Sequence, residues 1–209
     1  MIPKNIEEIK IIRCWLEKIS LCYFNDFKVL NTIFNPEFIQ FIFENEEIDK
    51  IKFNCYSCYY YRINDETILL FYLNRLVIND NLYLIYDIND NELKQQTINI
   101  LFKLMLKIPN VYISDYKHST LCKMILNYIE SSKDHPIVVN FIRFDRCSWP
   151  SFNLSERAEF IGTRQDFSGL MPVMFFYYQL TNKHNPKVKF SICYGERNDL
   201  ISCFEIQRI

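Results

Sequence analysis

The chain's nearest approach to a chemical motif is Cys55-Tyr56-Ser57-Cys58. Two cysteines at this spacing can share a zinc ion or exchange a disulfide. A structural zinc site takes four ligands, usually from a second pair at similar spacing, and the sequence has no second pair. The motif also falls in a predicted strand, where residues three apart point to opposite faces, so the two thiols are expected to diverge. The remaining cysteines are irregularly spaced in a long, apolar chain, which favours reduced core thiols over a disulfide framework. Cys193 and Cys203 fall where they can sit opposite each other on neighbouring strands, as two packed thiols or, alternatively, as a disulfide. His118, His135 and His184 fall at element boundaries, with no nucleophile pattern beside them. The acidic runs Glu44 to Glu47 and Asp87 to Asn91 lack the alternating ligands, central glycine and terminal glutamate of a calcium loop. Gly162, Gly169 and Gly195 are too scattered to cradle a phosphate. The reading therefore assigns no catalytic, metal or cofactor residue.

Tyrosine offers a different chemistry. Its ring buries a large area and keeps a polar tip, which suits interfaces. In the run Tyr59-Tyr60-Tyr61, Tyr60 faces away from its two neighbours if the segment is a strand. Tyr59, Tyr61, Tyr83 and Tyr112 are the candidate partner-binding residues. Lys plus Arg is 24 and Asp plus Glu is 25, a net charge of −1, so there is no basic stripe for nucleic acid. Lys183, Lys187 and Lys189 read as a solvated hairpin. No apolar stretch reaches the roughly 18 residues of a membrane span. The N-terminus is too acidic for a signal peptide. Cytoplasm or nucleus is the expected location, with neither nucleic acid nor membrane as partner.

The elements that would position these tyrosines alternate. Helical and strand-like runs follow one another about every 28 residues, a period in the range of stacked repeats. Helices are predicted over Ile6 to Leu21 with Asn5 as N-cap, after Asn35-Pro36, after Asn64-Asp65-Glu66, after Asp90 and after Ser119. Strands are predicted at Phe27 to Phe34, Ile51 to Tyr61, Leu82 to Ile88, Val111 to Tyr116 and Ile137 to Phe144, with Asn79-Asp80-Asn81 as a turn. Five such units predict an α/β fold. Its helix–strand repeats would form a leucine-rich-repeat-like curved parallel sheet. A compact doubly wound sheet is the alternative. Helical periodicity stops after Arg146. Strands at Phe175 to Thr181, Val188 to Tyr194 and Ser202 to Ile209 predict a C-terminal antiparallel β cap. The division is residues 1–147, the repeat region, and residues 148–209, the antiparallel region. An enzyme on a doubly wound sheet would need polar groups converging at the strands' carboxyl ends. Those ends offer Tyr61-Arg62, Asp87 to Asn89, Asp115-Tyr116 and Asp145-Arg146.

Six segments spread along the chain resemble the F-box-like protein family of plant-parasitic root-knot nematodes. They are Ile2 to Glu8, Arg13 to Glu17, Phe34 to Phe38, Leu73 to Val77, Leu154 to Glu159 and Asn185 to Ser191. The resemblance implies a region that recruits a protein substrate, while an N-terminal F-box docks the Skp adaptor of a cullin ubiquitin ligase. The chain departs from that pattern in having no F-box, whose three helices Ile6 to Leu21 is too short to supply. The Skp adaptor is therefore expected as a partner only if an F-box lies upstream. The abrupt start at the first helix, without the cap a repeat stack needs, predicts such a segment. The alternative is a stand-alone interaction or decoy protein.

Overall fold

A computed structural model describes residues 5–29, 39, 41–43, 51–61, 66–86, 94–117, 119–133, 139–150, 153–167 and 172–209. The first helix, α1 (Ile6–Ser20), starts where expected: Asn5 Oδ1 accepts the Glu8 amide at 2.9 Å. Satisfying one of the four orphan amides of the first turn fixes that boundary. Strand β1 (Tyr23–Val29) follows, then β2 (Phe53–Tyr61), α2 (Glu66–Arg75), β3 (Leu76–Ile85), α3 (Gln95–Met105), β4 (Asn110–Ser114), α4 (Thr120–Ser131) and β5 (Phe141–Pro150). Four strands complete the chain: β6 (Ala158–Asp166), β7 (Val173–Thr181), β8 (Lys189–Arg197) and β9 (Leu200–Arg208). The expected caps Asn35, Asn64 and Asp90 lie outside the described residues. Ser119 occupies the N-cap position of α4 without a side-chain capping bond.

The fold is α/β, built on one mixed sheet of nine strands in the order β1-β2-β3-β4-β5-β9-β8-β7-β6. The first five strands pair in parallel and in chain order. The β5–β9, β9–β8, β8–β7 and β7–β6 pairs are antiparallel, and their ladders carry the larger share of the sheet's pairing. The leucine-rich-repeat-like expectation is corrected here. The strand starts are unevenly spaced, and the antiparallel strands extend the same sheet edgewise instead of capping a stack. The division after Cys147 falls inside β5. Strand β6 was not read from the sequence at all, because its residues are mostly exposed and do not alternate.

One face of the parallel half is covered. Thr97 of α3 donates to Glu66 of α2 at 3.0 Å, and Lys107 reaches the Leu73 carbonyl at 3.4 Å, so neighbouring helices lie side by side. Beneath them Leu101, Met105, Leu121, Ile125 and Ile129 meet the inward residues of the strands in one continuous core. Each such side chain contributes about 1.5–3 kcal/mol by leaving water. Trp149 is the largest fully buried side chain. Its indole N–H donates to the Tyr116 carbonyl at 2.8 Å, and its ring meets Phe144 edge-on at 5.1 Å.

Four register shifts interrupt the ladders, one of them between Gly195 and Glu196 where β8 pairs with β9. Arg146 has φ 54°, and the β5–β9 register shifts between Asp145 and Trp149. This bulge returns Trp149 to the core after alternation has lapsed, and the strand continues as far as Pro150. Asn79-Asp80-Asn81, expected as a turn, lies inside β3 and supplies an extra residue where the β2–β3 register shifts. On the outermost strand, the β6–β7 register breaks at Ile161. The β8–β9 hairpin closes in two residues, Asn198 and Asp199, both with positive φ (52° and 60°), the conformation that matches strand twist in a tight hairpin.

Candidate functional site

The face of the sheet away from α2–α4 carries a transverse row of side chains in register. Lys28 on β1 stands beside Tyr59 on β2, then Tyr83 on β3, Tyr112 on β4, Arg143 on β5, Glu205 on β9, Cys193 on β8 and Tyr177 on β7. Residues paired across strands point to the same face, so register alone lines them up. The Tyr59 and Tyr83 rings stack with centroids 4.5 Å apart and planes at 5°. Tyr83 and Tyr112 stack at 4.7 Å and 12°. These separations equal the spacing of adjacent strands, which is why three tyrosines form one continuous stack. Phe141 flanks Tyr112 at 5.5 Å, and the Lys28 ammonium lies 5.6 Å from the centre of the Tyr59 ring, within range of a cation–π contact.

Polar groups surround the stack. Arg143 donates from Nε to Asp145 at 2.7 Å and pairs through a terminal nitrogen with Glu205 at 2.9 Å. Asp80 accepts from Asn81 at 2.7 Å and from Asn110 at 2.8 Å, and Asn81 also reaches the Ser57 hydroxyl at 3.3 Å. Burial pushes the Tyr83 phenol above its ordinary pKa, and Tyr59, Tyr112, Asp80 and Asp26 push it further. It therefore stays a neutral hydrogen-bond donor and acceptor, not a phenolate. The surface combines aromatic area, phenol groups and fixed ion pairs, which suits recognition of another polypeptide.

Of the four predicted tyrosines, Tyr59, Tyr83 and Tyr112 form the stack. Tyr61 shares the face but belongs to the next row, opposite Ile85. Sequence reasoning missed Lys28, Arg143, Glu205, Asp80, Asn81 and Asn110. Register brings them together, and the only local hint, the Asn79-Asp80-Asn81 cluster, reads more readily as a turn.

The other chemistry-bearing residues disperse. Cys55 and Cys58 do not diverge as expected: both are fully buried. The inward positions of β2 change from Phe53 and Cys55 to Cys58 and Tyr60, opposite the bulge in β3, so strict alternation fails there. Burial raises the Cys55 pKa to about 12, and burial together with Cys55 raises that of Cys58 well above its ordinary value. Cys193 pairs with Glu205, and Cys203 with Gly195, so these two cysteines are diagonal neighbours and not opposite each other. All eight cysteines are free thiols. Among the described residues, no three His, Cys, Asp or Glu side chains gather as a metal-binding group. His184 is exposed in the β7–β8 turn, and His118 and His135 lie outside the described residues. At the carboxyl ends of the parallel strands, Arg146 pairs with Asp115 at 2.7 Å. Asp145 is held by Arg143, and Arg62 and Asp87 to Asn89 lie outside the described residues. No described helix is long and apolar enough to cross a membrane.

Residues 1–87, from α1 through the end of β3, match a family described as a domain of unknown function, DUF8381. No curated protein matches the chain. No solved structure matches it either.

Proposed function

We propose that this chain is a non-enzymatic protein–protein recognition module whose partner lies across the face of the sheet that no described helix covers, over Tyr59, Tyr83 and Tyr112. The stacked tyrosine row carries this reading. Three rings held rigid by strand spacing lose little conformational freedom on binding, and each adds a phenol group to a surface already rich in paired ions. The reading places the protein in the cytoplasm or nucleus, with neither nucleic acid nor membrane as its partner. On the resemblance to F-box-like proteins, the bound protein is a ubiquitin-ligase substrate, and the Skp adaptor joins through an F-box upstream. Without that module the chain is a stand-alone interaction or decoy protein. The reading needs an ordered face, not a solenoid.

A photo-crosslinking residue at position 61, on the same face but outside the stack, should capture a partner from extract, whereas one at the exposed Asn99 of α3 should not. Tyr83→Ala and Tyr112→Ala should each weaken capture roughly tenfold or more, as central aromatic anchors do, with an unchanged circular dichroism spectrum. Capture indifferent to both substitutions sinks the proposal. Recovery of Skp and cullin with the partner selects the ligase reading, and recovery without them selects the stand-alone one.

A further inference from the structure

The geometry points to a second copy of this chain as the occupant of the β1 edge. Two copies join through β1 in antiparallel register about Phe27, and the outer flanks of their α1 helices close over the junction.

The two edges of the sheet differ. β6 carries a bulge at Ile161, a device that bends an edge strand and blunts it against pairing. β1 keeps a single register along β2, and among the described residues no strand pairs on its outer side. An uninterrupted edge of this kind is a template for another strand.

The sequence of β1 is charge-palindromic about Phe27. In a symmetric antiparallel pair, residues equally distant from the two-fold axis face each other. An axis at Phe27 sets Asp26 against Lys28 of the second copy, and Lys28 against Asp26 of the second copy. Both side chains are exposed. Moving the axis by one residue sets Asp26 against itself or Lys28 against itself, so charge selects one register.

An apolar flank adjoins this edge on the helix side. Ile9, Ile12, Leu16 and Ile19 of α1 pack on the core, and Arg13, on one side of that stripe, lies 5.6 Å over the Phe43 ring. Helical geometry puts Ile11 and Trp15 on the opposite side, one turn apart and facing away from the rest of the molecule. They are 56% and 61% exposed. Tryptophan is among the residues most enriched at the energetic centres of interfaces.

Sedimentation velocity on the full chain over a concentration series tests the assignment. The wild type is expected to dimerise. Asp26→Lys turns two attractive cross-strand pairs into two repulsive ones and should weaken the dimer roughly tenfold. The charge swap Asp26→Lys with Lys28→Asp should recover most of that loss, because the palindrome returns. Trp15→Glu, on an exposed helix position that leaves the core intact, should abolish the dimer while circular dichroism stays unchanged. It keeps the test decisive if a β1 variant misfolds. Tyr83→Ala should leave the dimer intact, which separates this interface from the recognition face. A wild type that stays monomeric into the high micromolar range overturns the assignment. So does a dimer indifferent to Trp15→Glu, or a charge swap as weak as the single reversal.

Discussion

Cys55 and Cys58 share the core of β2 with thiols that burial holds in the neutral form. A thiolate is the nucleophile in alkylation, so these positions should resist iodoacetamide in the native protein while the exposed Cys14 and Cys22 react. Site-resolved mass spectrometry should show that order, with Cys193 and Cys203 between the extremes. The same burial has a signed effect on stability. Below pH 9 the Cys55 thiol is protonated in both the folded and the unfolded chain, and its contribution is fully present. Between pH 9 and about 12 the unfolded chain releases the proton and the folded one does not, so stability falls as pH rises through that window. Denaturant midpoints measured from pH 7 upward should hold steady to about pH 9 and then decline, with Cys58 acting in the same direction. A Cys55→Val, Cys58→Val chain, of nearly the same volume, should lose part of that alkaline slope.

At the scale of elements, the β7–β8 hairpin is fastened to α4 by the buried Asn182 amide and by the Lys183 N–H, which donates to the Glu130 carbonyl at 2.7 Å. Asn182 donates to the Ile129 carbonyl at 2.7 Å and the Ser132 carbonyl at 3.1 Å, and its side-chain oxygen accepts the His184 and Asn185 amides. One side chain thus closes the helix and shapes the turn. Asn182→Asp replaces two donors with a carboxylate facing two carbonyl oxygens, and should cost about 3 kcal/mol at neutral pH in denaturant unfolding. The loss should shrink in acid, where the protonated carboxyl regains a donor. Such links explain what could be read from the sequence. α1 and its Asn5 cap, the apolar stripes of α3 and α4, and the alternating strands β4 and β8 follow from local periodicity and are found as expected. The irregular stretches hid themselves. The Arg146 bulge interrupts alternation ahead of Trp149, and Asn79 to Asn81 have turn composition but strand pairing. Tyr59, Tyr83 and Tyr112 were legible as candidates because they sit on strands. Their neighbours in the row, Lys28 and Arg143, were not, because register is set by long-range pairing.

Across the whole molecule, the parallel and antiparallel halves share a sheet and a core. β5 hydrogen-bonds to β4 on one side and β9 on the other, while Trp149 touches Tyr116, Phe144 and Phe204. The chain should therefore unfold in one cooperative step, with far-ultraviolet dichroism and tryptophan fluorescence tracing the same denaturant curve. A fragment ending at Cys147 lacks Trp149 and β9, so it should show no cooperative transition; a resolved second transition in the intact chain would argue instead for two independent units. The bulge at Ile161 has a consequence for solubility. A nine-stranded sheet with two open borders is a monomer for linear polymerisation, since every added copy exposes a fresh border to the next. If the β1 edge is the seam between copies, the register break in β6 leaves a third copy no second unbroken border to join. On that reading the interrupted border is a chain terminator, favouring a finite particle over a fibre for a long, aromatic-rich sheet.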